Sequence, residues 1–166
     1  MKSYKAGIGF DVHRKDSRKK GLVLGGVKIT CPFGLSAVSD GDVLLHAVAD
    51  SLCGAAGLGD IGDYFPPRAV SSKGLDSKDI IKFILKKIGK RSRIVNLDVI
   101  IVADKPPLLK YKARIVKSLK SILGAKDINV KIKSKEKTSI LGGKNSISCF
   151  ALCLLRKHGL ETDRRR

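Results

Sequence analysis

Apolar and polar positions along the chain follow two periods, and the shorter one marks the strands. Residues 3–13 form an apolar, strand-like segment, and residues 128–134 alternate with the period of two that half-buried strands show. Residues 94–103 form the continuous apolar run of a buried strand. The segment GLVLGGVKIT predicts two short strands in a hairpin around its Gly-Gly pair.

The last apolar segment, residues 146–157, fits a helix or a strand by period alone. We predict a strand, because Ile, Phe and Cys are concentrated there and a Gly-Gly turn precedes it.

Apolar residues recur every three or four positions in three further segments, which predict three helices. Each segment is bounded by residues that favour a helix start or stop. These residues are Ser39 or Asp40 and Gly57 for the first helix, Asp76 or Ser77 and Gly89 for the second, and Gly124 for the end of the third.

The order of these elements predicts one α+β domain over residues 1–166, with a mixed β-sheet covered by helices on one face. The length is sufficient for a substantial core. We expect residues 158–166, which end in three arginines, to form a loose basic tail.

The chain is strongly basic, with 34 Lys and Arg against 15 Asp and Glu and a formal charge of +19. This balance favours anionic partners: a nucleic acid, an acidic membrane surface or a phosphorylated small molecule. The basic residues are spread along the chain without the interleaved aromatic residues of RNA-binding segments. We therefore interpret most of the charge as solvated surface and keep nucleic-acid binding as a remote alternative.

The four cysteines indicate a reducing compartment. They form no CxxC pair, and three of them lie in apolar runs, as small buried hydrophobic residues do. No apolar run approaches 18 residues and no leader pattern opens the chain. We expect a cytoplasmic protein without a membrane partner.

Candidate metal ligands lie on two of these elements. In a strand, Asp11 and His13 point to one face and Val12 to the other, where we expect it to be buried. His46, on the first helix, is a third potential ligand, and three ligands with an open fourth position are typical of catalytic zinc. Asp42 and Asp50 lie four residues to either side and could orient the imidazole. A histidine that only packs or caps a helix would show the same spacing.

Three other short patterns suit a phosphorylated ligand, although each is also an ordinary structural feature. The sequence SDGD offers free N–H groups at a helix start, or simply a cap. Asp60 and Gly62 lie in a loop where a carboxylate could accept hydrogen bonds from sugar hydroxyls, or in a common turn. Glu136, among lysines, suits a second metal that bridges phosphates, or a charged strand end.

Together, these motifs resemble the 2-C-methyl-D-erythritol 2,4-cyclodiphosphate synthases of the non-mevalonate isoprenoid pathway. The segments that carry the resemblance are GFDVHR, LGGVKI, SDGDVLLHAVADSLCGAAGLGDIGDYFP, KGLDS, ADKPPLL and INVK followed by EK. The resemblance spans nearly the whole chain. It implies a homotrimer with active sites at subunit interfaces, where metal ions help convert 4-diphosphocytidyl-2-C-methyl-D-erythritol 2-phosphate into the cyclic diphosphate and CMP.

The resemblance also implies roles for individual residues. One Zn²⁺ per chain would be held by Asp11, His13 and His46, and Mg²⁺ or Mn²⁺ by Glu136. Ser134 would stabilise the transition state. The substrate-binding residues would be Asp11, Val12, His13, Val38, Ser39, Asp60, Ile61, Gly62, Phe65 and Lys137. The cytidine-binding residues would be Ala103, Asp104, Lys105, Pro106, Pro107, Leu108, Leu109, Lys133, Ser134 and Lys135, acting largely through the backbone between 103 and 109.

Several positions depart from the family pattern. Val38 stands where the family has a histidine that helps stabilise the transition state, and Pro107 stands where it has a lysine. The segment FPPRAV lacks two acids, and Ile140 and Gly143 replace a phenylalanine and an arginine. These departures leave an alternative open: a catalytically impaired relative that binds zinc and a phosphorylated ligand.

Overall fold

The computed structural model describes residues 2–66, 68–70, 74–90, 92–138, 143 and 145–158. Within them, five strands form a mixed sheet in the order β4-β1-β7-β5-β6, and a separate two-stranded hairpin pairs β2 with β3. The strands are β1 (Lys2–Asp16), β2 (Leu22–Leu24), β3 (Val27–Ile29), β4 (Gly34–Leu35), β5 (Ser92–Val102), β6 (Ile128–Lys133) and β7 (Ser146–His158).

The sheet topology brings the carboxyl ends of three strands to one edge. β7 pairs antiparallel with both β1 and β5, and β5 pairs in parallel with β6. β1, β5 and β6 therefore all run in the same direction. At the opposite edge, Lys2 at the start of β1 is paired with His158 at the end of β7.

The predicted strands are confirmed. They include residues 146–157, whose period alone fitted either a helix or a strand. β4 was not predicted, because two residues are too short to show a period. Gly25 and Gly26 both have positive φ, at 59° and 73°, as the tight hairpin turn requires. His158 still belongs to β7, and the rest of the expected basic tail lies outside the described residues.

The three predicted helices are also confirmed: α1 (Val43–Ala56), α2 (Ser77–Ile88) and α3 (Lys112–Leu123). α2 is capped by Asp76, as predicted, whereas α1 is capped by Asp42 instead of Ser39 or Asp40. The reason is that the Asp42 carboxylate accepts from Leu45 N in the first turn. Among the described residues, no helix is long and apolar enough to cross a membrane.

Two glycines set the distance between α1 and the sheet. A Cβ atom on Gly7 would lie 2.1 Å from Ser51 O, and one on Gly9 would lie 2.0 Å from Ala47 O. No side chain larger than hydrogen fits there, so the helix backbone rests directly on β1. This contact places the first turns of α1 beside the carboxyl-terminal half of β1.

The helices cover one face of the sheet, and the core lies between them. No described residue covers the other face, so Val12 is 38% exposed there instead of buried as we expected. Cys53, Cys149 and Cys153 are buried free thiols, as predicted, and Cys31 is half-buried.

Candidate metal centre and substrate pocket

Three predicted metal ligands converge at the carboxyl end of β1. His13 Nε2 lies 2.8 Å from Asp11 Oδ2, and His46 Nδ1 lies 3.0 Å from the same oxygen. One ligand atom from each of the three residues lies within 4.8 Å of the others. Two imidazole nitrogens and a carboxylate oxygen form a donor set that zinc binds in proteins, and they leave further coordination positions to a substrate.

The cluster forms because β1 and α1 are each held in place by the core. Alternation along β1 directs Asp11 and His13 to the helix side and Val12 to the uncovered face. The start of α1 is fixed by Asp42, whose carboxylate accepts from Gly25 N at 2.9 Å and Gly26 N at 2.7 Å in the hairpin turn. α1 is thereby anchored within one turn of His46.

Asp11 and His46 stabilise each other's charged forms. Burial alone would raise the pKa of Asp11, but hydrogen bonds from His13 and His46 hold it well below its usual value. Burial alone would lower the pKa of His46, but its hydrogen bond to Asp11 and the nearby carboxylates raise it. A carboxylate that stays charged among imidazoles is an environment in which a cation can replace protons.

The outer nitrogen of His46 has its own partners. His46 Nε2 lies 3.1 Å from Ser77 Oγ and 3.2 Å from Ser39 Oγ. Asp42 and Asp50 were expected to orient this imidazole, but the hydrogen bonds of their carboxylates go elsewhere. Asp42 bonds the hairpin and the α1 start, as described, and Asp50 accepts from Ile61 N at 3.0 Å. Both acids position backbone segments around the cluster instead.

A pocket of about 330 Å³ opens over the three ligands. Five of the predicted substrate-binding residues join the ligands in its wall: Val38, Ser39, Ile61, Gly62 and Phe65. Ala37, Leu75 and Ile80 also line it and were missed, because apolar residues of a loop and a helix carry no chemical signature in the sequence. The wall facing the cluster is therefore mainly apolar.

Asp60 lies beside this pocket. Its carboxylate accepts from Gly62 N at 2.7 Å, and it caps the short 3₁₀ turn Ile61–Asp63. Asp60 is exposed, and its carboxylate also accepts from the Asp63 backbone in a capping box. Val12 points to the opposite sheet face, which leaves only its backbone near the cluster.

The predicted cytidine-binding segments follow β5 and β6 at the same sheet edge. Asp104 Oδ1 accepts from Lys135 N at 2.8 Å and ties the two segments together. Pro106 follows a cis peptide bond and is buried, and Leu108 belongs to the core at 2% exposure. Their side chains are thus structural, whereas Lys105, Pro107, Leu109 and Lys133 are exposed.

The turn after β6 holds the predicted second metal ligand. Ser134 Oγ donates to Glu136 Oε1, and both residues are exposed. Glu136 and Lys137 have positive φ values of 48° and 62°, which residues with a side chain seldom adopt. Backbone of this kind is concentrated at functional sites.

Lys135 does not face a ligand. Its side chain is 4% exposed, and Nζ donates to Gly143 O at 2.5 Å and Ser146 Oγ at 2.6 Å. Its backbone is also engaged within the chain, because the N–H donates to Asp104 and the carbonyl oxygen accepts from Thr138 N at 2.9 Å. Gly143, the residue that replaces an arginine in the pattern the resemblance implies, thus accepts from the buried Lys135 side chain, and Ile140 lies outside the described residues.

The two groups of residues are separated within the chain. Asp11 pairs with Cys149, which in turn pairs with Ile101 at the end of β5. Strands lie about 4.8 Å apart, so roughly 10 Å separates the metal cluster from the β5 end. We call the Asp11–His13–His46 cluster with its pocket the metal half, and residues 103–109 and 133–137 the nucleotide half.

The fold and the site define an α+β protein with three potential metal ligands gathered at one edge of a mixed sheet. A family model described as the YgbB family matches residues 4–156, and the chain belongs to that family. The resemblance drawn from the motifs is thereby confirmed.

Individual relatives agree with this assignment. A 2-C-methyl-D-erythritol 2,4-cyclodiphosphate synthase of Francisella philomiragia is 39% identical over 158 residues, which are 93% of this chain and 99% of the relative. A bifunctional enzyme IspD/IspF of Sulfurimonas denitrificans is 42% identical over 149 residues, 88% of this chain. The match spans only 38% of that longer relative. A solved structure of IspF from Plasmodium falciparum in a CDP complex has a TM-score of 0.80 at 31% identity, and the match covers 95% of this chain and 98% of that one.

Proposed function

We propose that the protein converts 4-diphosphocytidyl-2-C-methyl-D-erythritol 2-phosphate into 2-C-methyl-D-erythritol 2,4-cyclodiphosphate and CMP. The observation that carries this proposal is the cluster of Asp11, His13 and His46 in the wall of a pocket beside Ser39 and Gly62. Family membership and the names of the relatives supply the reaction.

The residues present fit the metals of this reaction. Asp11, His13 and His46 would hold one Zn²⁺, and the exposed Glu136 would hold Mg²⁺ or Mn²⁺. When bound, these ions neutralise charge on the diphosphate and act as Lewis acids on its oxygens.

The protein itself positions and encloses the substrate. The attacking group is the 2-phosphate of the substrate, which joins the β-phosphorus as the bond to CMP breaks, so no side-chain nucleophile is required. Ile61, Phe65 and Ile80 provide an apolar wall that limits water near the reacting phosphates. Asp60 and Gly62 offer a carboxylate and a backbone to the erythritol hydroxyls, and Ser134 lies beside Glu136 at the second metal.

We also propose that the active unit is a homotrimer in which each site combines the metal half of one chain with the nucleotide half of its neighbour. The uncovered sheet face supports this, because it exposes large apolar side chains that a monomer seldom displays together. They are Tyr4 at 56%, Ile8 at 70%, Phe10 at 41% and Leu152 at 47% exposure.

The assembly can be tested by light scattering with matched variants. Ile8→Glu should dissociate the trimer and abolish turnover, since it buries a charge in each interface. Val70→Glu is the control, because Val70 is 90% exposed and belongs to none of the sheet strands. A fully active monomer would contradict the trimer.

The reaction is tested by incubating the purified protein with the diphosphocytidyl substrate, Zn²⁺ and Mg²⁺ and measuring CMP release. We expect CMP and the cyclic diphosphate to form in equal amounts. His46→Ala is the control, because it removes a metal ligand. CMP release no greater than in His46→Ala would exclude the proposed reaction.

A second candidate is a catalytically impaired relative that still binds zinc and a phosphorylated ligand. It is favoured by Val38, which lines the pocket, is 45% exposed and cannot donate a hydrogen bond. For an active synthase, Val38→His should change the CMP release rate by no more than about 10³-fold, the largest usual effect of one transition-state donor. The impaired relative predicts that the unaltered chain binds Zn²⁺ and CDP without releasing CMP, whereas Val38→His gains release.

A further inference from the structure

A chain of hydrogen bonds leads from His46 away from the pocket. His46 Nε2 lies 3.1 Å from Ser77 Oγ, and Ser77 Oγ lies 2.5 Å from Asp40 Oδ1. Ser77 is the first residue of α2 and is fully buried. The chain therefore joins a predicted metal ligand on α1 to the start of a different helix.

The chemistry of these groups fixes where the protons lie. A carboxylate can only accept, so the Ser77 hydroxyl donates its one proton to Asp40. The Ser77 oxygen is then an acceptor for His46, which must carry its proton on Nε2. Nδ1, which donates to Asp11 Oδ2 at 3.0 Å, is consequently the nitrogen that gives up its proton when a metal ion binds the cluster.

Asp40 is held in position by backbone groups from both sides. Its Oδ1 accepts from Asp42 N at 3.1 Å, and its Oδ2 accepts from Ser77 N at 3.2 Å. Asp40 N donates to Leu75 O at 3.1 Å. The carboxylate thus connects the loop before α1 to the loop before α2 and keeps its orientation toward Ser77.

Ser39 does not hold His46 as firmly as Ser77 does, and His13 has no comparable hydrogen bond at its outer nitrogen. Ser39 Oγ also approaches His46 Nε2, but it accepts from Gly41 N and faces the pocket, where a substrate competes for it. His13 Nδ1 is buried and has no hydrogen-bond partner among the described residues. The orienting contacts of the cluster are thus concentrated on His46.

We infer that Ser77 and Asp40 are positioning residues for the metal centre: they hold His46 in the tautomer and ring orientation that presents Nδ1 to Zn²⁺. This inference rests on the proposed function, because it concerns the same metal ligands. It also links zinc affinity to the docking of the α2 start, since Ser77 Oγ can accept only when α2 begins at this place.

The test measures zinc affinity of the purified full chain by competition with a chromophoric chelator, together with the visible spectrum of the Co²⁺ form. Ser77→Ala should weaken zinc binding about 10–100-fold, the usual effect of losing an outer hydrogen bond to a ligand. It should also alter the Co²⁺ absorption bands. Ser77→Thr keeps the hydroxyl and should bind zinc within about threefold of the unaltered chain.

Ser51→Ala is the matched control. Ser51 is also a fully buried serine, but its Oγ donates to Val48 O at 2.7 Å within α1. Its loss should lower the melting temperature much as Ser77→Ala does and leave zinc affinity and the Co²⁺ spectrum unchanged. Asp40→Asn should also weaken zinc binding, and the Asp40→Asn/Ser77→Ala double variant should be no weaker than Ser77→Ala, because the two residues act in one chain.

Each outcome decides the inference. If Ser77→Ala melts earlier but binds Zn²⁺ and Co²⁺ like the unaltered chain, Ser77 is only structural and the inference is wrong. If Ser77→Ala does not fold, the comparison of Asp40→Asn with Ser51→Ala decides in the same way. An unaltered chain that binds no zinc overturns both proposals, whereas one that binds zinc without releasing CMP excludes the reaction alone.

Discussion

The metal half and the nucleotide half of the proposed site are built in different ways. Asp11, His13 and His46 lie on a strand and a helix that are buried against each other, and the helix start is tied to a hairpin by Asp42. The nucleotide half consists of two loop segments after strand ends, in which exposed and buried residues alternate, and Asp104 joins them. Ligands of a metal need fixed geometry, and buried elements supply it better than loops do.

The departures from the family pattern follow the same division. The three residues predicted to hold a metal are all present, while Pro107 and Gly143 depart from the pattern near the nucleotide half. Backbone contacts to a base tolerate such changes, because they depend on chain position and not on the side chain. Val38 is the exception, since it lies in the metal half and lines the pocket.

The largest effect should come from removing a ligand of the metal half. His13→Ala leaves two ligands, so zinc affinity should fall by more than about 100-fold and CMP release should be lost. Val12→Ala is the control: Val12 faces the uncovered side of the sheet, so zinc binding should be unchanged. Zinc stoichiometry and melting temperature would be measured for both. A His13→Ala protein that keeps one tightly bound zinc would show that this histidine is structural.

The next largest effect concerns how the metal half is held. A methyl group on Gly9 would collide with Ala47 O, so Gly9→Ala should cost roughly 1–3 kcal/mol or more of unfolding free energy and displace α1. Zinc affinity should fall with it. In Gly54→Ala the new Cβ would lie 3.6 Å from Gly7, an ordinary contact, so this helix variant should be neutral or gain up to about 1 kcal/mol. If Gly9→Ala and Gly54→Ala were equally stable in urea unfolding, the close approach of α1 to β1 would be refuted.

A smaller effect should come from the nucleotide half. Glu136→Gln keeps the shape and removes the charge, so the Mg²⁺ concentration for half-maximal CMP release should rise at least about tenfold. Zinc content should not change, because the halves are separate within one chain. Asp127→Asn, an exposed carboxylate before β6 at the other end of that strand, should change neither quantity. A loss of zinc in Glu136→Gln would mean that the halves are one unit.

The smallest effect should come from replacing Asp98 on β5, one of the two strands that precede the nucleotide half. Lys131 and Asn129 on β6 donate to Asp98 on β5, at 2.6 and 3.0 Å, and this lowers the pKa of Asp98. The stabilisation is therefore complete above the ordinary aspartate pKa of about 3.9 and is lost as the pH falls through the lower folded value. Asp98→Asn should cost about 0.2–1 kcal/mol at pH 7, because both side chains of the pair are partly exposed to water.

Denaturant unfolding from pH 7 down to pH 3 would check this. The difference between Asp98→Asn and the unaltered chain should shrink as the pH falls. A difference that stays constant would assign the effect to packing instead of charge.

Sequence patterns predicted most of the fold because each long element has its own period and its own end signals. The clustering of the three candidate metal ligands was predictable for a related reason: Asp11 and His13 share a strand face, and His46 lies within the first turn of a helix with clear caps. The exposure of Val12 was not predictable, because alternation distinguishes two faces without saying which one the helices cover.

The contacts that cross between elements were also missed. Ser77 was read as a helix cap, and its contact with His46 joins residues 31 positions apart. Asp42 was read as a partner of His46, although its hydrogen bonds go to a hairpin turn 16 and 17 residues earlier. No local period records such pairs, because they depend on how the elements pack.

The pairing of Lys2 with His158 has a consequence for how this fold can be joined to others. Both ends of the described sheet leave from one edge, and His13 lies eleven residues further along β1, roughly 35 Å away at about 3.3 Å per residue. A second domain attached before β1 or after β7 therefore begins far from the substrate. The fold can therefore be one module of a longer polypeptide without any change to its site. The bifunctional relative of Sulfurimonas denitrificans agrees with this, since the match covers only 38% of its length.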